Sequence, residues 1–342
     1  MDRGGFMTIA DVAKHAGVSV ATVSRVINGE NKVRPATQER VRRAISELNY
    51  TPNLSARNLR RRESRIILVL ARSFTNPYYA RVLSGISDTA RKSGYSVLMC
   101  DNGGDPQRAQ QQMLMLKNHE VDGAILLNCS TDDHWLQSYA GKFPIVQCCE
   151  CLPFLDTPKV SLDHFALAYD AVRHLIELGH RRIAIMSANN RHISTIQRYE
   201  GYRKAMLDAG LPVPDSFSVL ADGDYSFQSG KVCAANLLSH QDHPTAIFCI
   251  SDVLALSVML TADEMGLRVP EDLSVVGCDD VDYTTMHHPF LTTMRLPCYE
   301  MGLHGAELLL DSIRSLPEHA QELHLDYSMQ IRESTAPPPS LL

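Results

Sequence analysis

The chain has 342 residues, of which 44% are hydrophobic and 21% are charged, which is ordinary for a globular protein. This length suggests two or three folded units. No stretch approaches the roughly 18 consecutive apolar residues that a membrane span needs. The first residues have neither an apolar run nor a small-residue cleavage site. We therefore expect a cytoplasmic protein without a signal peptide or a membrane anchor.

The net charge of −6 hides an asymmetry along the sequence. Residues 1–65 hold 13 Lys and Arg against 6 Asp and Glu, a net charge of +7, so the remainder carries −13. A small basic segment before a large acidic one suggests a polyanion-binding module attached to something else. A membrane surface is the rival partner, but it requires bulky apolar residues opposite the basic face, and the segment has almost no aromatic residues.

The nine cysteines are an odd number without the regular spacing of a disulfide scaffold. Cys148, Cys149 and Cys151 form a CCEC cluster, but no second pair of zinc ligands at workable spacing accompanies it. We expect reduced thiols and no metal site.

The basic segment contains the signals of three short helices. Thr8 is a suitable N-cap for the first helix, and Gly17 ends it. Ser19 caps a second helix over about residues 20–28, and Pro35 begins a third. Two helices joined by a glycine-containing turn, with a third as a buttress, are typical of the helix-turn-helix motif.

The outer face of the second helix combines small residues with one arginine. Small side chains permit close approach to base edges, and Arg25 can donate two hydrogen bonds to guanine. A three-helix bundle with another role is the alternative, but the charge of +7 favours DNA. The candidate DNA contacts in this segment are Thr8, Ser19, Val20, Ala21, Thr22, Ser24, Arg25 and Asn28.

A basic stretch, TPNLSARNLRRRESR, follows the third helix. Residues 54–60 could form about two helical turns, which are marginal in water alone. The stretch is either a solvated linker or a hinge helix that folds against DNA. In the second case Arg57 would contact phosphates, and Leu59 would enter the minor groove as a wedge.

From residue 65 onward, short apolar runs alternate with helical segments. One block extends from RIILVLA (65–71) to PIVQ (144–147), and a second starts at KVSL (159–162) and ends with a strand near 323–331. This pattern predicts an α/β body of two lobes, each a parallel sheet flanked by helices. Ligands of such folds bind beyond the carboxyl ends of the strands. Asp, Asn, Ser and Arg at those positions suit a neutral, hydroxyl-rich molecule, although each is also a common helix N-cap.

We predict four segments from these patterns. They are a DNA-binding headpiece (7–52), a hinge (53–63), a two-lobed body for effector binding and dimerisation (64–332) and a disordered tail (333–342).

Several stretches resemble the lactose/galactose repressor (LacI/GalR) family. They are TIADVAKHAGVSVATVSRVIN, PNLSARNL, GHRRIA, RYEGYRKAM, TAIFCISDVLAL and DEMGLRVPEDLSVVGCDD, and the resemblance extends over about residues 8–332. The body is most similar to the cytidine-repressor branch, followed by the ribose- and purine-repressor branches. The resemblance implies a periplasmic-binding-protein-like body and a homodimer on a pseudo-palindromic DNA operator. It also implies allosteric control by a small-molecule effector.

The resemblance also implies roles for particular residues. Base reading falls on Val20, Ala21 and Arg25, and the minor-groove wedge falls on Leu59. The effector-contacting positions are Tyr78, Tyr79, Ser130, Asp163, Arg198, Tyr225, Ser251 and Asp279. A nucleoside or pentose is the first expectation for the effector, and a hexose or purine is the second.

The sequence departs from the family pattern where the effector is expected. The usual Gly-Pro after the strand RIAIMS is replaced by Ala188-Asn189, and Ser251 stands where Asn or Gly is usual. The chain ends in STAPPPSLL without a long tetramerising helix, so a dimer is favoured.

An α/β clamshell enzyme is the competing class. The sequence has no G-x-x-x-x-G-K-[ST] loop, no G-x-S-x-G elbow and no H-E-x-x-H motif. We therefore expect a transcriptional repressor with an effector and no cofactor, and not an enzyme.

Overall fold

The computed structural model describes residues 7–27, 29, 32–50 and 63–339. The chain divides into two compact units, one up to Ser64 and one from Arg65. The candidate contacts Asn28, Arg57 and Leu59, and nearly all of the predicted hinge, lie outside the described residues.

The first unit contains the three predicted helices, α1 (Ile9–Ala16), α2 (Val20–Ile27) and α3 (Pro35–Glu47). Thr8 caps α1 in a capping box, because its hydroxyl oxygen accepts from the Asp11 N–H at 3.3 Å and its own backbone N–H donates to the Asp11 carboxylate at 2.9 Å. The apolar stripes of the three helices meet in a small core whose centre is fully buried.

The second unit contains twelve strands among the described residues. They are β1 (Ile66–Ala71), β2 (Ser96–Asp101), β3 (Gly123–Leu126), β4 (Ile145–Cys148), β5 (Lys159–Ser161), β6 (Ile183–Ala188), β7 (Ser218–Ala221), β8 (Ala246–Cys249), β9 (Ser274–Asp279), β10 (Thr292–Arg295), β11 (Glu322–His324) and β12 (Ser328–Gln330). One sheet has the order β11-β5-β4-β3-β1-β2 and the other β12-β10-β9-β8-β6-β7. The central strands are buried on both faces, as their continuous apolar sequences predict.

Seven helices cover these sheets in the described residues. They are α4 (Pro77–Lys92), α5 (Pro106–Lys117), α6 (His164–Glu177), α7 (Ile193–Asp208), α8 (Phe227–Leu238), α9 (Asp252–Glu264) and α10 (Cys298–Arg314). Helices α4, α5 and α10 pack in the first lobe, and α6 to α9 pack in the second. The chain crosses between the lobes three times, after β5, after β10 and between β11 and β12.

The structure corrects four details of the predicted body. Strand β5 belongs to the first sheet and does not start the second. The single strand expected near 323–331 is two strands, because the chain crosses between lobes at that point. Strand β12 pairs antiparallel with β10, so the second sheet is not wholly parallel. The helix expected between β3 and β4 is only a 3₁₀ turn, His134–Ser138.

The predicted disordered tail is wrong for residues 333–339. Ser334 is fully buried, its hydroxyl donates to the Val275 carbonyl at 2.6 Å, and the Val275 N–H donates to the Ser334 carbonyl at 2.8 Å. Its hydroxyl also accepts from the Thr292 N–H at 2.8 Å. These bonds attach the tail to β9 and β10 of the second sheet, so the backbone polar groups of this segment have partners within the protein. The proline-rich composition of the segment does not indicate this attachment.

The nine cysteines are all free thiols. Among the described residues, no group of His, Cys, Asp or Glu side chains is arranged to hold a metal ion. The described helices include none with the length and apolar character that a membrane crossing requires.

Candidate effector site and DNA-reading face

The exposed face of α2 carries the predicted base-reading residues. Val20 is 41% exposed, and Ala21 and Arg25 are exposed beside it. The opposite face holds Val23 and Val26, which are buried in the core of the first unit. The face therefore has two small apolar side chains and one guanidinium available to a groove.

The remaining candidates of this unit contribute to helix capping. The Ser19 hydroxyl accepts from the Thr22 N–H at 3.2 Å and lies 2.9 Å from the Thr22 hydroxyl. Thr8 is engaged with Asp11 in the same way. Ser24 is half-buried on the same helix. Thr8, Ser19 and Thr22 thus stabilise helix starts, and their exposed faces remain open to phosphates.

An inner cavity lies between the two lobes, beyond the carboxyl ends of the strands. Its volume is about 30 Å³, and it is lined by Asn76, Tyr78, Tyr79, Cys149, Glu150, His164, Ser194, Arg198, Tyr225, Ile250, Ser251 and Asp279. Six of the eight predicted effector positions are in this set. A space of this size holds one or two water molecules, so a sugar ring requires movement of the lobes.

Arg198 and His164 form the polar centre of the inner cavity. Arg198 is only 6% exposed; its Nη1 donates to the Ile250 carbonyl at 2.5 Å, and its Nη2 lies 3.4 Å from His164 Nδ1. The Arg198 Nε and the His164 Nε2 are buried without hydrogen-bond partners. Burial and then the Arg198 charge hold the pKa of His164 well below its ordinary value, so the imidazole is neutral. Two buried polar atoms without hydrogen-bond partners therefore belong to residues that line this small cavity.

Asp279 approaches Arg198 from the end of β9. Burial raises the pKa of Asp279 well above its ordinary value, and Arg198 opposes this rise. Asp279 has a φ of +125° and Asp280 a φ of +58°, which are costly for non-glycine residues. Arg295 and Arg332 fix this strained turn, since their guanidinium groups donate to the Asp280 carboxylate at 2.6 and 2.5 Å. Strain that is held in place in this way is typical of binding sites.

Glu150 crosses the inner cavity from the first lobe to the second. It is 6% exposed; one carboxylate oxygen accepts from the Ser194 N–H at 3.0 Å, and the other accepts from the Ser194 hydroxyl. Ser194 is in the first turn of α7, whose N-cap residue, His192, makes no side-chain cap bond. A carboxylate of one lobe therefore caps a helix of the other.

Two predicted effector positions do not line the inner cavity. Asp163 caps α6 instead, because its carboxylate accepts from the Ala166 N–H at 2.8 Å, and the next residue, His164, reaches the cavity. Ser130 lies further out, in a second opening between the lobes.

This second opening, the outer cleft, has a volume of about 330 Å³. It is formed by residues that follow β1, β2, β3 and β6, on the side away from the three crossings. Its lining includes Arg72, Asn102, Asp105, Asn128, Ser130, Asp132, Asp133, Trp135, Asn189, Asn190, Arg191 and His192.

Sequence reasoning missed several residues of the inner cavity. Cys149 and Glu150 belong to the CCEC cluster, whose residue types suggest only a metal site. His164 and Ser194 are the first or second residues of helices that follow a predicted cap or loop. Their position beyond strand ends is a signal that could have identified them.

A helix-turn-helix unit and a two-lobed α/β body with a polar interlobe cavity together define a ligand-responsive DNA-binding regulator. The family described as "periplasmic binding proteins and sugar binding domain of LacI family" matches residues 64–332. The family of "bacterial regulatory proteins, lacI family" matches residues 8–53. The chain belongs to the LacI family, and the resemblance seen in the sequence is confirmed.

Named relatives agree with this assignment. The HTH-type transcriptional repressor CytR of Escherichia coli K12 is 36% identical over 329 residues, which cover 96% of each chain. The ribose operon repressor of Haemophilus influenzae is 34% identical and covers 96% of this chain and 98% of its own. The lac repressor dimer bound to operator and the anti-inducer ONPF superposes with a TM-score of 0.85 at 28% identity, over 97% of this chain and 100% of its own. The expectation of a regulator and not an enzyme is therefore confirmed.

Proposed function

We propose that this LacI-family regulator represses transcription from a pseudo-palindromic operator and that a neutral, hydroxyl-rich effector in the inner cavity controls its DNA affinity. A nucleoside or pentose is the first choice of effector, and a hexose or purine is the second. One observation carries the effector assignment: Arg198 Nε and His164 Nε2 are buried without partners at the cavity wall. Hydroxyl groups can satisfy both atoms, because a hydroxyl donates and accepts.

The charge of the cavity supports a neutral ligand. Arg198 shares the cavity lining with two carboxyl groups, those of Asp279 and Glu150. Tyr78 and Tyr79 both line the cavity, and their rings pack edge to face with 5.1 Å between the ring centroids. Carboxylates accept from hydroxyls and aromatic rings pack on a sugar face, whereas an anionic ligand would meet like charge.

The DNA contacts proposed for the headpiece are the ones predicted from the sequence. Arg25 would read guanine, and Val20 and Ala21 would pack on thymine methyl groups. Relatives are named repressors, and the lac repressor structure contains operator DNA. Effector coupling of about 1–3 kcal/mol would change operator affinity roughly 5- to 150-fold.

A homodimer is proposed because exposed apolar side chains lie on both lobes. Met99 on the edge strand β2 is 51% exposed. Leu260 on α9 is 40% exposed and Met286 is 67% exposed, and Leu260 lines a groove of about 540 Å³. Leu256 and Met259 line the same groove, and contiguous apolar surface of this kind is typical of interaction sites.

The test is calorimetric titration of the purified protein with ribose, nucleosides, hexoses and purine bases, followed by operator binding with and without the ligand found. A specific ligand at 100 times its Kd should stabilise the protein by about 2.7 kcal/mol. Asp279→Asn should remove the effector response and retain operator binding, whereas the exposed control Asp311→Asn should change neither. Loss of operator binding by a folded Asp279→Asn protein, or an undiminished response, would contradict the assignment.

A further inference from the structure

The outer cleft adjoins the inner cavity, and only a few side chains separate them. Tyr225 lines the inner cavity and His192 lines the outer cleft, with 3.5 Å between the Tyr225 hydroxyl and His192 Nδ1. Ser194, which Glu150 holds, is two residues beyond His192. A ligand that separates the lobes enough to enter the inner cavity therefore extends readily into the outer cleft.

The lining of the outer cleft is rich in side-chain amides. Asn102, Asn128, Asn189 and Asn190 surround it, and the indole of Trp135 forms part of its wall. An amide presents a donor beside an acceptor, which matches the edge of a nitrogen heterocycle. An indole packs on the face of such a ring.

Asn189 differs from the other amides in this cleft because its side chain does not take part in the hydrogen bonding of the described residues. Its side chain is exposed and makes no hydrogen bond within the part of the chain that the structure describes. By contrast, Asn190 donates to the Gly223 carbonyl at 3.0 Å, and Asn128 accepts from the Arg72 N–H at 2.5 Å. Asn189 is also one of the two residues that replace the usual Gly-Pro of the family. The departure from the family therefore places a free amide in this cleft.

Both guanidinium groups that line the cleft are already paired. Arg72 Nε lies 3.0 Å from Asp224 Oδ1, and Arg191 Nη1 lies 3.2 Å from Asp132 Oδ2. Asp133 accepts from the Ser130 N–H and from the Trp135 indole N–H. The described lining thus offers no unpaired cation to a phosphate group, and its carboxylates outnumber its guanidinium groups.

We infer that the outer cleft is a second subsite of the effector, which binds a planar heterocycle joined to a polyhydroxylated ring in the inner cavity. The effector class is then an uncharged two-ring molecule of the nucleoside type. This inference rests on the proposed function and chooses among its candidate effectors. It assigns Asn189 as a specificity-determining residue.

The test compares four probes by calorimetry on the full-length protein: neutral nucleosides, ribose, the free bases and the nucleoside 5′-monophosphates. At least one nucleoside should bind tenfold or more tightly than ribose, the matching base and its own monophosphate. Asn189→Ala should weaken that nucleoside about 2- to 10-fold, the value of one hydrogen bond, and leave ribose unchanged. Asn236→Ala, an exposed amide on α8, is the matched control and should bind like the wild type.

The outcomes separate the inference from the proposed function. Ribose binding as tightly as every nucleoside would overturn the heterocycle subsite and leave the inner cavity assigned. Equal binding of the monophosphate would overturn the uncharged class. Equal weakening of ribose and nucleoside by Asn189→Ala would overturn the role of that residue. Failure of every probe, and of hexoses, to bind would overturn the proposed function itself.

Discussion

The Glu150 carboxylate makes two hydrogen bonds across the inner cavity, and its removal should let the lobes separate. Each bond to an ionised acceptor contributes about 1.5–3 kcal/mol, and a negative charge at a helix N-terminus adds about 0.3–1 kcal/mol. Truncation also removes the cost of burying the carboxylate, so Glu150→Ala should destabilise the closed arrangement by about 1–3 kcal/mol. Glu150→Gln retains one acceptor oxygen and should lose less.

Small-angle scattering of the effector-free protein measures this change. Glu150→Ala should have the larger radius of gyration, and its Tm should fall by roughly 2–4 °C for each kcal/mol lost. Glu200→Ala, an exposed residue of the same helix α7, controls for the loss of a glutamate. A Glu150→Ala protein with the scattering profile and Tm of the wild type would refute the claim that this contact holds the lobes together.

Three further predictions concern other parts of the chain. Arg25→Ala should cost about 1–3 kcal/mol at one operator base pair, measured by anisotropy, and an equal loss on random DNA would make Arg25 a phosphate contact. His164 is neutral in the folded protein while the unfolded chain takes up a proton below about pH 6.5, so wild-type stability should fall as the pH drops through that value. Denaturant titrations at pH 7.5 and 5.5 should show a smaller fall for His164→Gln; an identical fall would contradict this. A Cβ at Gly302 would overlap the Val82 carbonyl, so Gly302→Ala should lower the free energy of unfolding by about 1–3 kcal/mol. A Cβ at Gly305 has room, so Gly305→Ala in the same helix α10 should be nearly neutral. Equal losses for the two variants would contradict the packing argument.

The sequence predicts the strands and helices well where burial is continuous. The run of residues 66–71 is apolar throughout, as expected for β1, an interior strand of a sheet that is covered on both faces, and a run of that kind has few alternatives. Prediction fails at β11 and β12. Residues 323–331 contain no strong turn signal, and the break there is imposed by the return of the chain to the second lobe. The position of this break is set by the tertiary structure, so it cannot be predicted from the local sequence.

The same distinction explains the errors in the candidate site. Polar residues after strands were expected to contact the effector or to cap helices, and the sequence could not separate the two roles. The structure shows that Asp163 points its carboxylate to the start of α6, whereas Ser251 caps α9 and also lines the cavity. Which role a residue takes depends on the direction of the helix that follows the strand. Only the packing of that helix fixes this direction.

The residues missed at the cavity follow from this geometry. When a capping side chain turns back to its helix, the neighbouring residue is directed across the strand ends towards the other lobe. His164 stands in this relation to the cap residue Asp163. Ser194 differs, because it is two residues after the N-cap residue His192, whose side chain makes no cap bond. The side chains best placed to sense closure of the lobes are therefore those in the first turn of a helix, beside its cap. In this chain Ser194 meets Glu150 of the other lobe, and His164 meets Arg198 within its own lobe.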